Sequence, residues 1–178
     1  MAMGYDRFTE KAQEAILMAQ ELASRYNHSQ VDVEHLLLAL LEQAGGIVPE
    51  IIRHAGVEPS LLAQRLVEEL ERQPKVYGAP AVGQVYVTPR FRRLLQVAKE
   101  EAERLHDEYI STEHLLIAAS QDREGPSRRI FQELGLDRER LYAALAEVRG
   151  SQRVTDPSPE TKYQALQKYG RDLTELAR

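Results

Sequence analysis

Glu34-His35-Leu36-Leu37 recurs 79 positions downstream as Glu113-His114-Leu115-Leu116, and this recurrence decides how the other residues of the 178 are read. Carried upstream without a gap, the same offset sets Thr9 on Thr88, Ala19 on Ala98, Glu21 on Glu100, Ala23 on Ala102 and Arg25 on Arg104. Carried downstream, it sets Ala39 on Ala118, Ile51 on Ile130, Gly56 on Gly135, and Leu62 and Leu66 on Leu141 and Leu145. A constant step across four elements marks one unit duplicated in tandem, a stronger constraint on the fold than any single motif. Two copies are too few for a solenoid, so the units are expected to pack on each other about a pseudo-twofold axis.

Each unit reads as four helices, which makes the fold class all-α: a tandem repeat of a four-helix unit, eight helices in total, followed by a C-terminal linker. Ala12, Ala15, Ile16, Ala19, Ala23 and Tyr26 recur at three- and four-residue steps, one face of a helix from about Thr9 to Tyr26. Thr9 is its natural N-cap. The counterpart opens with Thr88-Pro89, a capping hydroxyl followed by a proline whose missing N–H costs nothing at the first helical position. Phe91, Leu95, Ala98, Ala102 and Leu105 line its buried side. The second helices begin at Asp32 and Ser111, with Glu34 and Glu113 in the first turn, where negative charge meets the positive end of the helix dipole. Leu36 to Leu41 and Leu115 to Ala119 are apolar almost all round, so these two helices are expected at the centre. Third helices are predicted near Pro49 to Ala55 and Ser127 to Leu134, stopped by Gly56 and Gly135. Fourth helices carry Leu61, Leu62, Leu66 and Leu70, then Leu141, Leu145 and Val148.

The resulting organisation is a domain over 1–149, with repeat one at about 5–72, a connector at 73–87 and repeat two at about 88–149. The connector is rich in breakers, Pro74, Gly78, Pro80 and Gly83, with Val85-Tyr86-Val87 briefly extended. Thr155-Asp156-Pro157-Ser158-Pro159 reads as a linker that cannot continue a helix. Beyond it Tyr163-Gln164-Ala165-Leu166 and Asp172-Leu173-Thr174-Glu175-Leu176 look like short helical pieces of something larger.

Composition removes several functions. With no cysteine, disulfides, thiolate zinc sites and cysteine nucleophiles are excluded. Met1 to Arg7 carry Gly4, Tyr5 and Asp6 where a secretory signal needs an apolar stretch, and no window approaches a membrane span, which points to a cytoplasmic protein without a membrane partner. A formal net charge of -5 argues against nucleic-acid binding, which needs a clustered positive surface. Arg90, Arg92 and Arg93 form the densest basic group, but Glu100, Glu101 and Glu103 follow on the same predicted helix, the pattern of a solvated mixed-charge face.

Chemistry is equally sparse. The chain has no G-x-x-x-x-G-K-[ST] phosphate loop and no G-x-S-x-G nucleophile elbow. The paired Glu34-His35 and Glu113-His114 have the wrong spacing for metal. Adjacent residues point about 100° apart on a helix, whereas Glu-x-x-His sets both ligands on one side, so the histidines are expected to serve their helix starts structurally. What remains is surface recognition. Val97 beside Leu94, and Met18 beside Leu22 in the first copy, widen the apolar face of their helices. Either they extend the core where the units meet, or they form a shallow groove for apolar side chains of another polypeptide, rimmed by Thr9, Asp107 and Glu113.

Arg7-Phe8-Thr9-Glu10-Lys11-Ala12, Val33-Glu34-His35-Leu36-Leu37, Thr88-Pro89-Arg90 and Ser111-Thr112-Glu113-His114-Leu115-Leu116 together resemble the paired Clp amino-terminal repeats of bacterial Clp/Hsp-type unfoldases. Lys75-Val76-Tyr77-Gly78 and the stretch from Tyr163 to Thr174 resemble the ClpB-type disaggregase branch, while the Phe-Thr-Glu-Lys opening is also similar to ClpC-type unfoldases. The resemblance implies a double Clp-N fold and a substrate-binding appendage on a homohexameric ring, itself monomeric when isolated. Its implied partners are unfolded or aggregated protein clients, or adaptor proteins in the ClpC-type alternative. By position, Thr9, Asp107 and Glu113 match polar sites of the family, and Leu94, Leu95 and Val97 match its substrate groove. The resemblance also implies that 150–178 is linker and the beginning of the first AAA+ module. ATP and magnesium are then expected only in AAA+ modules outside this chain, which needs no cofactor or metal of its own and is not an enzyme by itself.

Overall fold

Thr9 and Thr88 start their helices by one device: each sits in an extended conformation and its hydroxyl accepts from the third helical amide, Ala12 or Phe91. The α1 helix (Glu10–Arg25) follows Thr9, and α5 (Pro89–Arg104) follows Thr88. Between them lie β1 (Gln30–Val31), α2 (Val33–Glu42), α3 (Val48–His54), α4 (Pro59–Arg72) and β2 (Tyr86–Val87). The second unit continues with α6 (Thr112–Ser120), α7 (Pro126–Leu134) and α8 (Arg138–Arg149). The computed structural model describes residues 7–77, 86–150, 154–155 and 157–160. Gly78, Pro80, Gly83, Val85 and the stretch from Tyr163 to Thr174, read above from sequence, lie outside them.

The two histidines serve the helix starts as expected. His35 Nδ1 accepts the Asp32 amide at 2.9 Å, and His114 Nδ1 accepts the Ser111 amide at 2.8 Å, so each imidazole closes a capping box where glutamate is the usual residue. The remaining ring nitrogens point inward, His35 Nε2 to His28 Nδ1 at 2.8 Å and His114 Nε2 to Asp107 at 2.7 Å.

Both leucine-rich helices are central, because an all-round apolar helix has no face to give to water. In α2, Val33 to Leu40 are all buried, and in α6, Thr112 to Ala119. Around them α1 packs on α2 and α5 on α6, while α3 lies against α8 and α4 against α7, so the outer helices cross between the two units.

The pseudo-twofold relation is visible in the backbone. Val31 pairs in parallel with Val87, and Phe8 bridges in parallel to Ile110. Shifted by 79 positions, Phe8 becomes Val87 and Val31 becomes Ile110, so the second contact is the first with the repeats exchanged. Two-residue β1 has no sequence signature of its own. It exists because the segment entering α2 meets the segment entering α5, with Thr88 N donating to Val31 O at 3.2 Å and Thr9 N to Ile110 O at 2.9 Å. The linker reading needs correction over its described part: Val154, Pro159 and Glu160 are buried against the domain. Pro157 and Pro159 do not prevent the chain from packing, and Pro159 and Glu160 are themselves helical, proline being tolerated at a helix start.

Candidate functional site

An apolar-floored cleft of about 230 Å³ opens beside α5, between that helix and the end of α6. Its floor is Leu94, Val97 and Ala118, and its walls carry Arg90, Arg93, Gln121, Asp122, Arg123 and Glu124. Leu94 is core, while Val97 is half-buried and packs against that core. Leu95, three positions before the core residue Ala98, packs against the core but does not line the cleft. The structure therefore joins Leu94 and Val97 in one hollow and sets Leu95 on a different flank. Met18, the first-copy counterpart of Val97, is likewise half-buried on the core. A larger polar hollow of about 750 Å³ continues past Gln121 to Arg128, Asp137 and Arg138.

Sequence reasoning missed the cleft's back wall. Arg90 is not part of a solvated face: its guanidinium reaches Asp32 at 2.9 Å, Glu34 at 2.9 Å and Asp122. The Glu34 side chain is fully buried and that of Arg90 is 15% exposed. Burial alone would weaken the cation, yet the hydrogen bonds it donates to Glu34 and Asp122 outweigh this and hold the proton more firmly than on a free arginine. Burial likewise pushes the Glu34 carboxyl up, opposed by Arg90. Arg92 and Arg93 remain exposed. The difference is spatial: Asp32 and Glu34 belong to the other repeat, 58 and 56 residues from Arg90, and only the pseudo-twofold packing brings α2 to the start of α5.

Thr9, Asp107 and Glu113 do not rim the cleft. All three are buried, and they gather in a separate polar cluster at the N-terminal ends of α1 and α6. Thr9 donates to Glu160 Oε1 at 2.8 Å while capping α1. Asp107 accepts from His114, Arg149 and the Val154 amide. Burial would raise the Asp107 carboxyl, but the His114 and Arg149 hydrogen bonds prevail and hold it below the usual carboxylate range. Glu113 faces Arg149 at 3.5 Å and accepts from Ser111. The physical reason for the correction is that helix-start polar groups point into the junction between the repeats. No group of three or more histidine or acidic side chains able to hold a metal occurs among the described residues. No described helix is long and apolar enough to cross a membrane.

Comparison with known proteins places this arrangement. Residues 7–134 match the Clp repeat (R) N-terminal domain family. Over 178 residues the chain is 43% identical to chaperone protein ClpB of Nitratidesulfovibrio vulgaris, covering 99% of this chain and 21% of that protein. Over 172 residues it is 44% identical to chaperone protein ClpB of Bacillus cereus, covering 96% of this chain and 20% of the relative. The chain thus spans about a fifth of the length of these relatives. Among solved structures, the Hsp104 N-terminal domain from Candida albicans superposes with a TM-score of 0.75 at 24% identity, covering 86% of this chain and 98% of that one. The N-terminal domain of the chaperone ClpD from Arabidopsis thaliana superposes at 0.62 with 22% identity, covering 84% and 99%. With the duplicated all-α unit, the paired helix caps and a family match over more than half its length, the chain belongs to the Clp repeat N-terminal domain family, its sequence relatives being ClpB chaperones.

Proposed function

We propose that this domain captures exposed apolar segments of unfolded or aggregated proteins for a ClpB-type, ATP-dependent disaggregase of which it is the amino-terminal part. The observation that carries the proposal is the α5–α6 cleft. Leu94, Val97 and Ala118 offer an apolar floor only a few side chains wide, within a rim of arginine, glutamine and acidic groups. Such a site suits one or two apolar side chains of an extended client. Affinity from so small a surface is low, because lost freedom of both partners consumes most of the gain. Several copies on a ring would compensate through avidity. The kinship with ClpB chaperones supports the same reading.

The charged rim favours a second reading, docking of an adaptor protein, because Arg93, Arg123 and Glu124 are exposed, and the 3.9 Å pair between Arg93 and Glu124 lies in solvent where a partner's charge can compete for it. Salt separates the two. Apolar capture persists at high ionic strength, whereas docking through rim charges weakens. The direct test is Val97→Asp, assayed for binding of a permanently unfolded client, with circular dichroism as the folding control. Loss of client binding with the helical signal intact is expected. Unchanged binding in the folded variant rejects the cleft.

A further inference from the structure

The described residues after α8 do not leave the domain; they are strapped across the junction of α1 and α6. The Val154 amide donates to Asp107 at 2.8 Å, and the Glu108 amide donates to the Val154 carbonyl at 2.7 Å. Further on, the Glu10 amide donates to the Pro157 carbonyl at 2.8 Å and the Ser158 hydroxyl to Glu10 Oε2 at 2.7 Å. Glu160 is fully buried, and its Oε1 accepts the Thr9 hydroxyl at 2.8 Å and the Thr112 amide at 3.3 Å. Glu10 and Thr112 open α1 and α6, and the first amides of a helix have no partner inside it. The strap supplies both.

The repeat offset explains why a carboxyl belongs there. In the first unit Asp32 Oδ1 accepts the Val33 amide at 2.8 Å and the Thr88 hydroxyl at 2.8 Å. Exchanging the repeats turns Val33 into Thr112, Thr88 into Thr9 and Asp32 into Ser111. The donors are preserved and the carboxyl is lost, and Glu160 Oε1 sits on those same two donors. We infer that the α1–α6 junction is a carboxyl-binding site left incomplete by Ser111, that Glu160 of the chain's own strap is its occupant, and that this side chain latches residues 157–160 to the domain.

The two sites differ in countercharge, which makes the latch sensitive to pH. Asp32 has Arg90 beside it. The residue matching Arg90 is Lys11, which instead donates to the Ala44 carbonyl at 2.8 Å and lies 3.8 Å from Glu14. Glu160 therefore confronts Glu113 on α6, while Arg149 of α8 is shared between Glu113 and Asp107, Asp107 also holds His114, and Glu10 of α1 is engaged by Ser158. Burial first, and then the Glu113 charge, push the Glu160 carboxyl from 4.5 up to about 7. A docked carboxyl that holds its proton more tightly than a released one favours docking at low pH. The latch is thus tightest below the ordinary carboxylate pKa and loosens by up to roughly two orders of magnitude as pH rises towards 7.

Amide hydrogen exchange of the 178-residue chain tests this, read at Glu10 and Thr112, with the Thr9 amide, bonded inside the domain to Ile110, as internal control. In Glu160→Ala both latch amides exchange at least tenfold faster while Thr9 is unchanged. Glu160→Gln mimics the neutral carboxyl: it keeps the Glu10 amide protected and abolishes the loss of protection that the parent chain shows between pH 5 and 8. Ser111→Asp restores the carboxyl in place, displacing Glu160, so Glu10 loses protection while Thr112 keeps it. Parental exchange at Glu10 in Glu160→Ala overturns the inference. Should Glu160→Ala unfold, shown by fast exchange at Thr9, retained Glu10 protection in Ser111→Asp overturns it instead.

Discussion

Replacing Arg90 with alanine is expected to cost this domain a large share of its stability, although arginine at the start of an amphipathic helix is ordinarily dispensable. The guanidinium is the countercharge for three carboxylates, Asp32, Glu34 and Asp122, at a site where the Glu34 side chain has no exposure to water. Removing one partner of a buried pair leaves an uncompensated charge, a loss of about 3–5 kcal/mol. For a domain of this size that lowers Tm by about 10 °C. The penalty also has a pH signature. Without Arg90 only the Ser127 hydrogen bond opposes the burial that already pushes the Glu34 carboxyl up, so Glu34 takes a proton more readily and the deficit shrinks as pH falls. Chemical denaturation of Arg90→Ala and parent at pH 8 and pH 5 measures both effects. Arg90→Lys tests geometry, since one ammonium cannot reproduce the forked contacts. A difference below 1 kcal/mol at pH 8 would refute the clamp and return Arg90 to the solvated face that its neighbours in sequence imply.

Two further outcomes follow from other parts of the fold. His35 is held neutral, with its pKa lowered to about 4 by burial and by His28, so an NMR titration should place its midpoint far below 6.5; a midpoint above 6 contradicts the buried imidazole pair. Because its folded pKa is depressed, its contribution of roughly 3 kcal/mol is present above pH 6.5 and is lost as pH falls through 4. Gly56 and Gly125 both have positive φ, 88° and 84°, but an added Cβ meets nothing at Gly56 and lies 2.3 Å from the Arg90 guanidinium carbon at Gly125. Gly56→Ala is expected to cost about 1 kcal/mol from backbone strain alone. Gly125→Ala should cost more, since it also pushes into the clamp. Equal losses by thermal denaturation would mean that Arg90 yields without penalty.

The helices were legible because their determinants are local. Thr9, Asp32, Thr88 and Ser111 cap from within a few residues, and the spacing of Ala12, Ala15, Ile16 and Ala19 reports a buried face whatever it packs against. Even the role of the histidines could be read, since Nδ1 of His35 and His114 reaches only three residues back. The candidate cleft was half legible. Leu94 and Val97 lie one turn apart on α5, but Ala118 of α6 and Gln121, which caps its end, enter only when the helices pack. Leu95, adjacent in sequence to Leu94, points elsewhere.

Polar residues defeated the sequence reading for one shared reason. A buried charge is identified by its partner, and here the partners are distant in the chain: 56 residues for Arg90 and Glu34, 151 for Thr9 and Glu160. Composition and local pattern treat such residues as solvated, because most charged residues are. Sequence by itself determined the duplication, the eight helices and which two are central, since hydrophobic period and helix caps act over a single turn or two. Tertiary structure alone decided that Arg90 is a clasp, that Thr9, Asp107 and Glu113 are interior, and that the linker returns to seat Glu160. Electrostatic pairing in a water-poor interior depends on distances set by the packed fold, and no local pattern encodes those distances.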